Sequence, residues 1–104
     1  MIKVRLTKKE NILELEIKGH AGFEKVGMDI VCAAVSILSY SFHETCLNDN
    51  RVELLYRYEK SGYTNICVED DKQILGSAVN MLHAGFLALS ENYPQCVELV
   101  WDEI

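Results

Sequence analysis

The chain opens in alternation. Residues 2–7 set Ile2, Val4 and Leu6 against Lys3, Arg5 and Thr7, the period-two pattern of a half-buried strand. After the polar stretch Lys8-Lys9-Glu10-Asn11, residues 12–18 alternate again, with Leu13, Leu15 and Ile17 opposite Glu14, Glu16 and Lys18. Together they predict an antiparallel hairpin. Over 21–28 the period fails and Gly22 and Gly27 supply backbone freedom, so a loop able to act as a lid is expected. A helical period then runs over 30–46 through Ile30, Ala33, Ala34, Ile37, Leu38, Ser41 and Thr45. Asp29 is placed as its N-cap and Asn48-Asp49-Asn50 ends it.

Residues 51–59 alternate Val52, Leu54, Tyr56 and Tyr58 with polar partners, interrupted by Leu55. Lys60-Ser61-Gly62 predicts a turn before a strand over 63–68. Asp70 or Asp71 caps a second helix to about Asn92, with Ile74, Leu75, Ala78, Val79, Leu82, Phe86 and Leu89 as its apolar stripe. Pro94 blocks its continuation, and 96–101 alternates once more. The order β-β-α-β-β-α-β predicts an α+β two-layer sandwich, with two helices packed on one mixed sheet.

Composition narrows the class. At 104 residues, with no Pro/Gly/Ser-rich linker, residues 1–104 are expected to form one domain. No apolar run is seen that approaches the roughly 20 residues of a membrane span, and the N-terminus alternates where a secretory signal would be uniformly apolar. No membrane partner is expected, and the compartment expected is the cytoplasm. There the four cysteines would stay reduced, and none forms a CxxC pair, so no disulfide is expected. The net charge of -6, with Lys8-Lys9 the notable basic pair, argues against direct nucleic-acid binding and favours a basic partner.

Candidate chemistry gathers between Gly19 and Ser36. His20 follows a strand, and Cys32 lies near the start of a helix. With Asp29 as N-cap, Cys32 is the third helical residue, where unpaired N–H groups and the helix dipole favour a thiolate. The amides around Cys32 and Ala33 could also meet an oxyanion. His20 would take the thiol proton and return it to the leaving amine. Asp29 either caps the helix or turns to orient His20; Ser36 either donates to the site or back-bonds to a helix carbonyl.

Plainer readings stand beside these. Cys32 can be a small core residue and His20 a strand-end histidine satisfied by backbone. A redox-sensing thiol would need a resolving cysteine, and Cys46 lies about 21 Å along the helix from Cys32. His43 and Cys46 share a helix face, but two further ligands are missing, so no metal and no cofactor is expected. His-Ala-Gly-Phe occurs at 20–23 and again at 83–86, the second copy within a helical period, where His83 is a surface or packing residue. Phe23, Tyr40 and Phe42 are either core or walls of a peptide subsite.

The motif Gly19-His20-Ala21 followed by Gly27-Met28-Asp29-Ile30-Val31-Cys32-Ala33-Ala34-Val35-Ser36, with twelve positions from histidine to cysteine, resembles the ribosomal-processing cysteine protease family, Prp. The resemblance extends over the whole chain in length and order of elements. It implies a homodimeric endopeptidase that removes a short N-terminal extension from a large-subunit ribosomal protein, cutting after paired phenylalanines and so supporting ribosome assembly. It implies His20 and Cys32 as the dyad, with Asp29 and Ser36 in supporting positions. A non-enzymatic acidic adaptor for a basic ribosomal or assembly protein is the alternative.

Overall fold

The computed structural model describes residues 1–19 and 28–104, Met28 and Asp29 by their backbone alone. Seven elements follow one another in the expected order: β1 (Ile2–Lys9), β2 (Ile12–Lys18), α1 (Met28–Leu47), β3 (Glu53–Lys60), β4 (Tyr63–Glu69), α2 (Gly76–Asn92) and β5 (Val97–Glu103). The five strands form one mixed sheet in the order β3-β4-β2-β1-β5, antiparallel throughout except for the parallel pair β1/β5. A parallel neighbour needs a crossover, and α2 supplies the last leg of it.

Strand alternation fixes which face is covered. Val4 pairs with Ile17 and Leu99, Leu6 with Leu15 and Trp101, and Leu15 with Ile66. These rows face the helices, where Val31, Val35 and Phe42 of α1 and Val79, Leu82 and Phe86 of α2 complete a buried core. Gly85 sits where the helices approach each other, and a Cβ there would press on the Leu38 side chain at 2.9 Å. The second His-Ala-Gly-Phe is therefore a packing motif: Phe86 is wholly buried, and His83 lies edge-on to Trp101 with ring centroids 5.5 Å apart.

Four expectations are corrected. First, α1 starts at Met28, so Asp29 is its second residue instead of its N-cap, and Cys32 its fifth instead of its third. Only the first four amides of a helix lack an intrahelical acceptor, so the Cys32 and Ala33 amides are not free oxyanion donors. Second, Asp70 does not open α2. It is buried and its carboxylate accepts from the Ile74 and Leu75 amides at 2.9 and 3.0 Å, closing the turn that precedes Gly76.

Third, Leu55 is an extra residue in β3: Leu54 pairs with Val68 and Tyr56 with Cys67. A bulge reverses side-chain direction beyond it. Tyr56 and Tyr58 consequently stand on the open face of the sheet, while Arg57 and Glu59 turn toward α1. Fourth, Ile30–Leu47 is long and apolar enough to cross a membrane, with a mean hydropathy of 1.4. In this fold that helix buries Val31, Val35, Phe42 and Cys46 against the sheet, and leaves Ile30, Ile37 and Tyr40 exposed.

Candidate active site

One face of α1 carries Cys32, Ser36, Ser39, Tyr40 and His43, residues three or four apart that share a side of a helix. They line a groove of about 280 Å³. Arg57, Glu59 and Lys60 of β3, with Tyr63 and Thr64 of β4, form the facing wall, and Gly19 and Gly62 close one end. From Cys32 to His43 is roughly 16 Å at 1.5 Å per residue. Extended peptide covers that span in about five residues.

Gly19 is where the chain leaves β2, with φ 104 and its amide donating to the Gly62 carbonyl at 2.9 Å. A Cβ at this position would collide with the Met1 carbonyl oxygen, and the φ is one that L side chains rarely adopt. Glycine is thus required where the backbone enters the groove edge, one residue before His20. His20, Gly22 and Gly27 lie outside the described residues, as does the Asp29 side chain, so the pairing of His20 with Cys32 and the reading of Asp29 as an orienting group rest on sequence. Ser36 is exposed and lines the groove. Tyr40 is a groove wall, and Phe42 belongs to the core.

Exposure separates the four cysteines. Cys46, Cys67 and Cys96 are buried; Cys32 is half-buried and borders the groove. Burial, with the Asp70 carboxylate adding to it, pushes the Cys46 thiol up to about 12. Burial likewise raises Cys67, with Glu14 nearby.

The far end of the groove holds a polar cluster that sequence reasoning missed. Arg57 Nε donates to His43 Nδ1 at 2.9 Å, and Arg57 Nη2 reaches Glu59 Oε2 at 3.0 Å. The sequence offers His43 only as a zinc ligand with Cys46; its Nδ1 is occupied by the guanidinium, and burial holds the Cys46 thiol protonated. Because β3 bulges at Leu55, no local pattern announced that Arg57 would point inward.

Burial first, then the Arg57 charge, lowers the His43 pKa, so the imidazole stays neutral with its proton on Nε2. The unfolded chain then takes up a proton near the ordinary histidine value of 6.5 while the folded one resists. Stability contributed by this group is complete above about pH 6.5 and is lost as pH falls below it. The thermal midpoint should fall between pH 7 and 5 more steeply in the parent than in His43→Gln, which keeps an acceptor for Arg57 but cannot titrate. Parallel slopes in the two proteins would refute this assignment.

The groove, with an accessible thiol on its border, has the makings of a thiol peptidase cleft. The chain belongs to the cysteine protease Prp family, whose model, described as "Cysteine protease Prp", matches residues 1–98. It is thus a cysteine protease by family.

Among solved structures, SMU.848 from Streptococcus mutans is 29% identical, with 100% of this chain and 96% of that one covered and a TM-score of 0.68. The essential ribosomal processing protease Prp of S. aureus in complex with a substrate peptide superposes with a TM-score of 0.80. That pair is 19% identical over 97% of this chain and 99% of the other, a likeness of fold. The same protease with a covalently linked product peptide gives 0.79 at 20% identity and the same coverage. No curated protein matches the chain significantly.

Proposed function

We propose that this protein is a ribosomal-processing endopeptidase that removes an N-terminal extension from a large-subunit ribosomal protein, acting in the cytoplasm as a homodimer. Cys32 is its nucleophile and His20 its general base and acid. The observation that carries the reading is the groove: the accessible thiol borders it, and so does Gly19, which leads directly into His20. The S. aureus protease solved with a substrate peptide and with a covalently linked product peptide supports the substrate class. The acidic charge suits a basic precursor.

In the mechanism, His20 withdraws the Cys32 proton and Sγ attacks the scissile carbonyl carbon. The tetrahedral intermediate collapses as His20 protonates the amine, breaking the C–N bond and leaving a thioester. Water, deprotonated by His20, then hydrolyses the thioester and restores the thiol. Ser36, one turn along the helix from Cys32, and Asp29 are supporting groups. Ile30, Ile37, Tyr40 and Met81 offer exposed apolar surface across the two helices for dimer formation.

Exposure supplies a direct test. Brief treatment of the native protein with iodoacetamide should place one carbamidomethyl group, on Cys32, and cleavage of a Phe-Phe peptide should fall in step with it. Equal labelling of Cys46, Cys67 or Cys96, or full activity after Cys32 is blocked, would refute the assignment.

A further inference from the structure

The face of the sheet turned away from the helices holds a second concavity, of about 380 Å³, lined by Glu14, Tyr56, Tyr58, Lys60, Tyr63 and Asn65. It exists because of the bulge at Leu55, which sends Tyr56 and Tyr58 outward on the edge strand. Tyr58 and Tyr63 meet with ring centroids 6.4 Å apart and planes at 73°, two walls at nearly a right angle. Their partners hold two of the rings in place: the Tyr56 hydroxyl donates to Glu14 at 3.0 Å and the Tyr63 hydroxyl to Glu16 at 2.9 Å.

Below them Asn65, only 2% exposed, donates from Nδ2 to Glu14 Oε2 at 2.7 Å. That bond fixes the amide, since a flipped side chain would set oxygen against carboxylate. The other end, Asn65 Oδ1, is therefore an acceptor, and it is buried with no partner among the described residues. Buried acceptors are ordinarily satisfied, so this one invites a donor. Both of these bonds to Glu14 fall on Oε2, and a carboxylate has about four acceptor positions. Aromatic rings at right angles, a carboxylate and an unpaired carbonyl oxygen are together the surroundings that favour a cation with N–H groups.

We infer that this concavity is a docking site for a lysine or arginine side chain of a basic protein, on the sheet face opposite the helices and meeting the peptide groove at Lys60 and Tyr63, which line both. The inference extends the proposed function: the basic body of a ribosomal precursor would be held on the open face while its extension enters the groove. Charge complementarity selects this occupant, the chain carrying a net charge of -6. Among the described residues that line the concavity, Lys60 at the rim is the one like charge. It sets a sign that an apolar surface would not show: removing it should tighten binding.

The test uses the full chain and an arginine-bearing peptide without Phe-Phe, titrated by calorimetry, with a citrulline peptide of the same sequence as control. The arginine peptide should bind and the citrulline peptide should not. Tyr58→Ala and Glu14→Gln should each weaken binding about tenfold, and Lys60→Ala should strengthen it, with thermal midpoints showing that each variant is folded. Tyr58→Ala is the variant of an exposed side chain and keeps the test alive if Glu14→Gln unfolds. Equal binding of both peptides, no effect of Tyr58→Ala, weaker binding by Lys60→Ala, or variants that change only the oligomeric state would overturn the inference. Binding with this pattern in a protein that cleaves no precursor would uphold the docking site and count against the protease reading.

Discussion

Replacing Cys32 with alanine should reduce turnover of a Phe-Phe peptide by at least about a thousandfold, while the far-ultraviolet spectrum and thermal midpoint stay near those of the parent. The size follows from the role: without the nucleophile the covalent route is lost, and what remains comes from binding and electrostatic stabilisation. Cys32 is half-buried at the groove edge, so trimming its sulfur opens little cavity in the core. Serine should be nearly as inactive, since a hydroxyl is a poorer nucleophile beside the same base. His20→Ala should fall comparably, because residues acting as a unit lose their effect together. A Cys32→Ala protein that retained a tenth of parental turnover would remove Cys32 from the mechanism.

The second large effect is on stability. Phe86 is wholly buried between α2 and the sheet, one turn from Leu82, and it is among the largest fully buried side chains among the described residues. Phe86→Ala should cost about 3–5 kcal/mol, the transfer energy of the ring plus the cavity it leaves. Domains of this size are stable by only about 5–15 kcal/mol, so the variant should be marginal at 37 °C. Urea unfolding should show a much lower midpoint at a similar m-value. A loss below about 1 kcal/mol would mean that the two helices do not share one core with the sheet.

Much of this architecture is legible in the residues because one face of each element is buried. The alternation in 2–7 and 12–18 survives as Val4 and Leu6 opposite Ile17 and Leu15, for a strand half covered by helices must alternate. The helical stripe through Leu82 and Phe86 holds for the same reason. Boundaries moved where local chemistry was ambiguous. Asp70 has the side chain of an N-cap, yet it caps a turn and the helix begins at Gly76. Leu55 interrupts the alternation as read, but only pairing with β4 shows that the interruption is a bulge and that it reverses Arg57 and Tyr58.

The site divides in the same way. His20 and Cys32 stand out because a base and a nucleophile flank one glycine-bearing stretch of sequence, and their motif resembles a family that the match over residues 1–98 then identifies. The facing wall of the groove does not stand out. Arg57, Glu59 and Lys60 read as ordinary surface charges of an edge strand, and they reach the groove only through tertiary packing. Ser39 and His43 read as polar residues on a helix. Nothing in their neighbours announces that they extend the cleft toward a neutral imidazole held by a guanidinium.

The central claim, that the groove cuts a ribosomal precursor at a defined bond, is tested most directly by intact-mass spectrometry of an extended large-subunit ribosomal protein incubated with this protein. A single new product should appear, lacking only the N-terminal extension and beginning immediately after the paired phenylalanines, with no product from Cys32→Ala. An unchanged precursor mass, or cleavage that persists in Cys32→Ala, would contradict it.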